Sequence, residues 1–128
     1  MKVLLDTHAL LWFVWGDPKL SSTAREAIEA PSSRRMLSVA SLWEMAVKVS
    51  LGKLEVELPL HQLVSRHVLG NGIEVLPISV AHLDELIELP LHHHDPFDRL
   101  ILAQARVEGA TVITKDEKFS QYRVATRW

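Results

Sequence analysis

Short apolar runs alternate along this chain with longer segments of helical spacing. Lys2 to Leu5 is apolar enough for a buried strand and stops abruptly at Asp6. Thr7 to Trp15 (THALLWFVW) is apolar nearly all round, which predicts a buried helix, and Gly16-Asp17-Pro18 breaks it. Ser21 or Ser22 can cap a second helix running to about Ala30. Met36 to Val39 reads as a second strand. Ser41 to Ser50 reads as a helix, with Leu42, Met45, Ala46 and Val49 at helical spacing and Gly52 just beyond its end. Leu60 to Leu69 is a further helix, closed by Gly70-Asn71-Gly72. Ile73 to Pro77 is a third strand, and Ser79 opens a helix from about Val80 to Leu89. Pro96 to Glu108 is a helix ending at Gly109, Ala110 to Thr114 a fourth strand, and Arg123 to Thr126 a small last strand.

Strands that alternate with helices imply an α/β fold: a mainly parallel sheet of four to five strands with helices on both faces. A chain of 128 residues holds one hydrophobic core, so residues 1–128 are expected to form one domain. In such sheets ligands bind beyond the carboxyl ends of the strands. That edge is where the chemistry is sought.

Composition narrows the chemistry. There are no cysteines, which excludes disulfide scaffolds, thiolate zinc sites and cysteine nucleophiles. The first residues reach a charge at Lys2 and again at Asp6, too early for a signal peptide, and no apolar run has membrane-spanning length. The expectation is a cytoplasmic protein with no membrane partner. A net charge of −2 argues against coating nucleic acid by electrostatics alone. It leaves a nuclease open, since an acidic site lowers the net charge while basic residues act locally.

Four carboxylates stand at seams between apolar runs and the elements that follow: Asp6, Glu44, Asp98 and Asp116. Acids gathered without matching bases repel one another unless a cation joins them, and a hard divalent ion with oxygen ligands is the usual one. Each has a plainer explanation. Ser41-Leu42-Trp43-Glu44 matches a capping box, so Glu44 fits either a cap or a ligand. Asp98 lies in the first turn of a helix, where the dipole favours an anion, but that helix is unusually apolar. Asp95 reads as its N-cap, with Pro96 at the first helical position and an i,i+4 ion pair to Arg99. Lys115-Asp116-Glu117-Lys118 taken alone is a solvated turn. Asp6, between a buried strand and an apolar helix, has the fewest excuses.

Other features carry less. His92-His93-His94 lacks a second ligand cluster and reads as a solvated segment before the helix. Trp12, Trp15, Trp43 and Trp128 read as core or interface anchors rather than stacking platforms for bases. There is no phosphate-binding glycine loop and no nucleophile elbow.

Leu5-Asp6-Thr7-His8, Ser38-Val39-Ala40-Ser41-Leu42-Trp43-Glu44, His94-Asp95-Pro96-Phe97-Asp98-Arg99 and Val112-Ile113-Thr114-Lys115-Asp116 resemble the PIN-domain family. The likeness is greatest to its VapC-type toxins, ribonucleases of toxin–antitoxin pairs. It spans almost the whole chain, and the Asp-Pro-Phe-Asp-Arg block is its most specific part. The resemblance implies a PIN-like nuclease domain in which Asp6, Glu44 and Asp98 match the core metal-binding acids and Asp116 the more variable fourth. Thr114 matches a small hydroxyl residue that supports the site. It further implies an endoribonuclease using Mg²⁺ or Mn²⁺, an RNA substrate, a cognate antitoxin and a homodimer. Lys48 and Arg99 can contact phosphate or serve in ion pairs. Two other readings compete: a phosphoacceptor receiver-like signalling domain, and a non-catalytic module that keeps the fold to bind a partner.

Overall fold

A computed structural model describes residues 1–128. Five strands, β1 (Lys2–Leu5), β2 (Arg34–Ser38), β3 (Ile73–Leu76), β4 (Thr111–Ile113) and β5 (Thr126–Arg127), form one sheet in the order β3-β2-β1-β4-β5, every pair parallel. Parallel neighbours need crossovers, and helices supply them: α1 (Thr7–Trp15), α2 (Ser22–Glu29), α3 (Val39–Ser50), α4 (Leu60–Leu63), α5 (Val80–Glu88) and α6 (Pro96–Glu108). The flavodoxin-like order of receiver domains is 2-1-3-4-5, so the sheet order here speaks against that alternative.

Alternation along the strands splits the core in two. Val3, Leu5, Leu37, Ile73 and Ile113 face α1 to α4, packing on Leu10, Ile28, Met45 and Leu63. Leu4, Met36, Leu76 and Val112 face the other way, onto Ile101 and Leu102 of α6 and onto Phe119 and Tyr122. Both faces of β1 are fully buried, as a central parallel strand requires.

Several boundaries differ from those the sequence predicts. α3 begins at Val39, because Ser38 ends β2 in extended conformation and its hydroxyl accepts from the Ala40 amide at 2.9 Å. The cap is therefore Ser38, and the Ser41–Glu44 capping box does not form. The segment after α4 continues as a π turn (Val64–Val68) and a 3-10 turn (Leu69–Asn71). β5 starts late because Arg123, at φ 55°, closes the 3-10 turn Glu117–Tyr122 in left-handed conformation. Ser79 caps α5 as expected, but its capping box is completed by His82, whose Nδ1 accepts from the Ser79 amide at 3.0 Å.

α6 obeys its signals closely. The Asp95 carboxylate accepts from the amides of Phe97 and Asp98 at 2.9 and 3.0 Å, Pro96 opens the helix, and Gly109 ends it at φ 65°. The predicted Asp95–Arg99 pair is absent. With the carboxylate engaged by amides, Arg99 instead donates to the carbonyls of Pro90 (2.9 Å), Leu86 and Leu89 (3.4 Å each), pinning the loop before the helix. α1 is buried only at Thr7, Ala9, Leu10 and Leu11; its second half overhangs the sheet, and Trp15 is 46% exposed. None of the four tryptophans belongs to the fully buried core. No helix is long and apolar enough to cross a membrane.

Candidate active site

Parallel strands bring several element starts to one edge, and the acids sit there. Asp6 directly follows β1 and caps α1, its Oδ1 accepting from the Ala9 amide at 2.7 Å. Glu44 faces inward from the second turn of α3, Asp98 from the first turn of α6, and Asp116 follows β4 by way of Thr114. All four, with Asp95, line one cavity of about 140 Å³ that also takes Thr7, His8, Lys48 and Phe119. Thr114 lies behind it, fully buried. Its hydroxyl accepts from the Asp116 amide at 3.0 Å and lies close enough to Asp6 to pull that acid's pKa down, linking the acids after β1 and β4.

The carboxylates are held by individual partners. Glu44 is 4% exposed; its Oε1 accepts from the Thr7 hydroxyl at 2.6 Å and its Oε2 from Lys48 Nζ at 2.8 Å. The i,i+4 spacing on α3 makes that second contact possible. His93 Nε2 lies 2.8 Å from Asp98 Oδ2 and 3.9 Å from Asp116 Oδ2. The Asp95 amide approaches His93 Nδ1 at 3.5 Å, which leaves Nε2 to carry the proton toward Asp98.

Burial sets the electrostatics. Desolvation raises the Asp6 pKa against the pull of Thr114, the Ala9 amide and His8, and nearby Glu44 pushes it further up. Asp98 rises to about 6, first through burial and then through the Asp95 carboxylate, with His93 opposing. Five carboxyl groups around one ammonium group, that of Lys48, leave the cavity strongly anionic. Such an oxygen-rich donor set fits a hard divalent cation. Donor atoms of His93, Asp98 and Asp116 already lie within 4.8 Å of one another; Asp6 and Glu44 share the cavity but not that closest group.

Besides Thr7, two residues do more here than the sequence predicts. The sequence reads His93 as part of a solvated segment, yet its ring bonds Asp98; the signal is its place five residues ahead of that acid. Asp95 reads from the sequence as an N-cap paired with Arg99; it does cap, but it also lines the cavity and raises Asp98. Of the neighbouring histidines, His92 packs edge-on against Tyr122 at 5.3 Å and His94 is exposed.

Fold and site together define a doubly covered parallel α/β domain with an acid cluster at the carboxyl edge of its sheet. The chain belongs to the PIN-domain family, whose model matches residues 3–125. It is 30% identical over 125 residues to Ribonuclease VapC22 of Mycobacterium tuberculosis, across 94% of this chain and 92% of that one. Two solved structures share the fold. VapBC2 from Rickettsia felis, bound to a promoter DNA fragment, superposes with a TM-score of 0.72 at 18% identity, covering 99% of this chain and 98% of that one. FitAcB from Neisseria gonorrhoeae gives 0.68 at 19% identity, covering 97% and 95%.

Proposed function

We propose that this protein is a divalent-metal-dependent endoribonuclease and the toxin of a toxin–antitoxin pair. The observation that carries the reading is the convergence of Asp6, Glu44, Asp98 and Asp116 on one cavity at the sheet's carboxyl edge. Membership of the PIN-domain family and the likeness to a protein named as a ribonuclease support the substrate class. Likeness to VapBC complexes supports an antitoxin partner. An open apolar groove of about 1020 Å³, lined by Val14, Trp15, Val49, Leu54, Val56 and Leu63, offers that partner a surface. Val80, Leu83 and Ile87, exposed along α5, suit a homodimer contact. The same reading makes the protein cytoplasmic.

Asp6 and Asp98 are assigned as direct ligands of Mg²⁺ or Mn²⁺, with Glu44 and Asp116 direct or through water. A metal held by these acids would supply activation of a water and stabilisation of charge on the attacking and leaving oxygens of the phosphodiester. The chain supplies orientation and charge control. Thr114 fixes the backbone of Asp116 and stabilises the charged form of Asp6, and Thr7 and Lys48 hold the two oxygens of Glu44. His93 holds Oδ2 of Asp98. Lys48, half-buried at the cavity wall, is the cation placed to meet a substrate phosphate; Arg99 is engaged by carbonyls.

Expression in a bacterial host is expected to arrest growth, and co-expression of the cognate antitoxin to relieve it. The purified protein should cleave RNA with Mg²⁺ and stop when EDTA is added. Cleavage that persists in EDTA would reject the metal-dependent mechanism. A folded wild type that binds no divalent ion in calorimetry would favour the non-catalytic binding module instead.

A further inference from the structure

A row of aromatic rings starts at the acid cavity and runs away from it. His8 lines the cavity, is exposed, and its ring lies 5.5 Å from that of Trp12 at a tilt of 34°. Trp12 in turn meets Trp128 edge-on at 5.7 Å. Lys19 places its Nζ 5.8 Å from the Trp12 ring centroid.

Placement follows from the topology. His8 and Trp12 are four residues apart on α1, hence on one face of a helix that begins at the end of β1. Trp128 directly follows β5, as Asp6 directly follows β1, and the Arg127 carbonyl accepts from the Thr114 amide at 3.2 Å. The row therefore occupies the same sheet edge as the acids, on the β5 side.

Core packing explains only part of it. Trp12 and Trp128 each turn some of their surface onto the core cluster around Leu10 and remain half-buried. Packing gives no reason for an exposed imidazole over Trp12, or for a lysine over its ring. Lys19 enters no ion pair, so a cation beside the row is free to meet a phosphate. Aromatic rings beside basic side chains are how single-stranded nucleic acid is gripped without sequence readout: bases stack on the rings while cations follow the backbone.

We propose that His8, Trp12 and Trp128 form a stacking track for the unpaired bases of single-stranded RNA next to the cleaved phosphate. The proposal rests on the ribonuclease reading above. His8, at the cavity rim, takes the base nearest the acids, and Trp12 and Trp128 take the bases beyond it. Trp43, 54% exposed and edge-on to Phe97 at 4.8 Å, makes a second aromatic pair, but neither of its members belongs to the cavity wall.

The test is binding of an oligouridylate of about ten nucleotides, a length within the usual range for such grooves, followed by tryptophan fluorescence in EDTA so that nothing is cleaved. Binding should quench the wild type. His8→Ala and Trp128→Leu should each weaken affinity about ten-fold, the loss of one stacked base, while Trp128→Phe stays near wild type. A duplex of the same length should bind more weakly than the single strand. Trp12 is left intact because it lies within α1, whereas Trp128 follows the last strand. Thermal melts confirm that the variants are folded. If both variants bind as wild type does, the track is overturned, while RNA cleavage by the wild type keeps the ribonuclease reading. If Trp128→Leu alters the oligomeric state in gel filtration and leaves RNA affinity unchanged, the row is a contact between copies and the track is likewise overturned. A wild type that neither binds nor cleaves RNA removes the ribonuclease reading itself, and the track with it.

Discussion

Asp98 shows most clearly how a half-buried acid is set up for a cation. Its pKa of about 6, against an ordinary 3.8, means that the folded protein holds the proton more tightly than the unfolded chain. Its contribution to stability is thus fully present below the unfolded value, declines as pH rises from about 4 to about 6, and levels off above. Denaturant titrations in EDTA should show this decline in the wild type and a flatter profile in Asp98→Asn; identical profiles would refute the burial argument. The proton also competes with the metal, so Mn²⁺ affinity should climb through the same interval. Thr114 offers a second test at this scale. Thr114→Val removes the hydroxyl that accepts from the Asp116 amide and favours the ionised form of Asp6, and should lower metal affinity about ten- to a hundred-fold. Calorimetry with Mn²⁺ reads that loss directly.

At the scale of elements, the start of α3 decides what Glu44 is for. A capping box starting at Ser41 would spend the Glu44 carboxylate on backbone; a start at Val39 frees it for Thr7 and Lys48. The two serines therefore make opposite predictions. Ser38→Ala removes a used cap and should cost about 1 kcal/mol in chemical denaturation. Ser41→Ala removes a buried hydroxyl that has no partner, and should be neutral or slightly stabilising. The reverse order would return Glu44 to capping. The sequence could not resolve this boundary, because Ser38-Val39-Ala40-Ser41 contains two serines able to cap and a β-branched residue between them. It did resolve α6, where Asp95, Pro96 and Gly109 act through local geometry alone. What escaped there was tertiary: Arg99 chooses carbonyls of a loop several residues back, which no helical spacing encodes.

For the whole molecule, alternation of strands and helices was legible because it depends on hydrophobic period, and a parallel sheet buried on both faces enforces that period strongly. The two half-cores follow from it. Leu10→Ala and Ile101→Ala, on opposite faces of the sheet, should each cost about 2–5 kcal/mol and add within about 0.5 kcal/mol. Strong coupling in a double-mutant cycle would deny that the sheet separates them. The candidate site was legible as a set of acids at element seams, since strand ends and helix starts share one edge in this topology. Its partners were legible only in part: helical spacing offers Lys48 to Glu44 as an ion pair, and the structure forms it, but His93 and Thr7 acquire meaning only when the chain closes. Sequence likewise gives a tryptophan's hydrophobicity but not how much of its ring stays open; Trp12 and Trp128 do pack on the core, and both remain half-buried.

The central claim is that four separated carboxylates form one metal site for RNA cleavage. It is tested most directly by the rate of RNA cleavage as a function of Mn²⁺ concentration, for the wild type and for folded Asp98→Asn. A saturable curve is expected for the wild type, with the variant at least about a hundred-fold slower at every metal concentration. A folded Asp98→Asn that follows the wild-type curve would contradict the account.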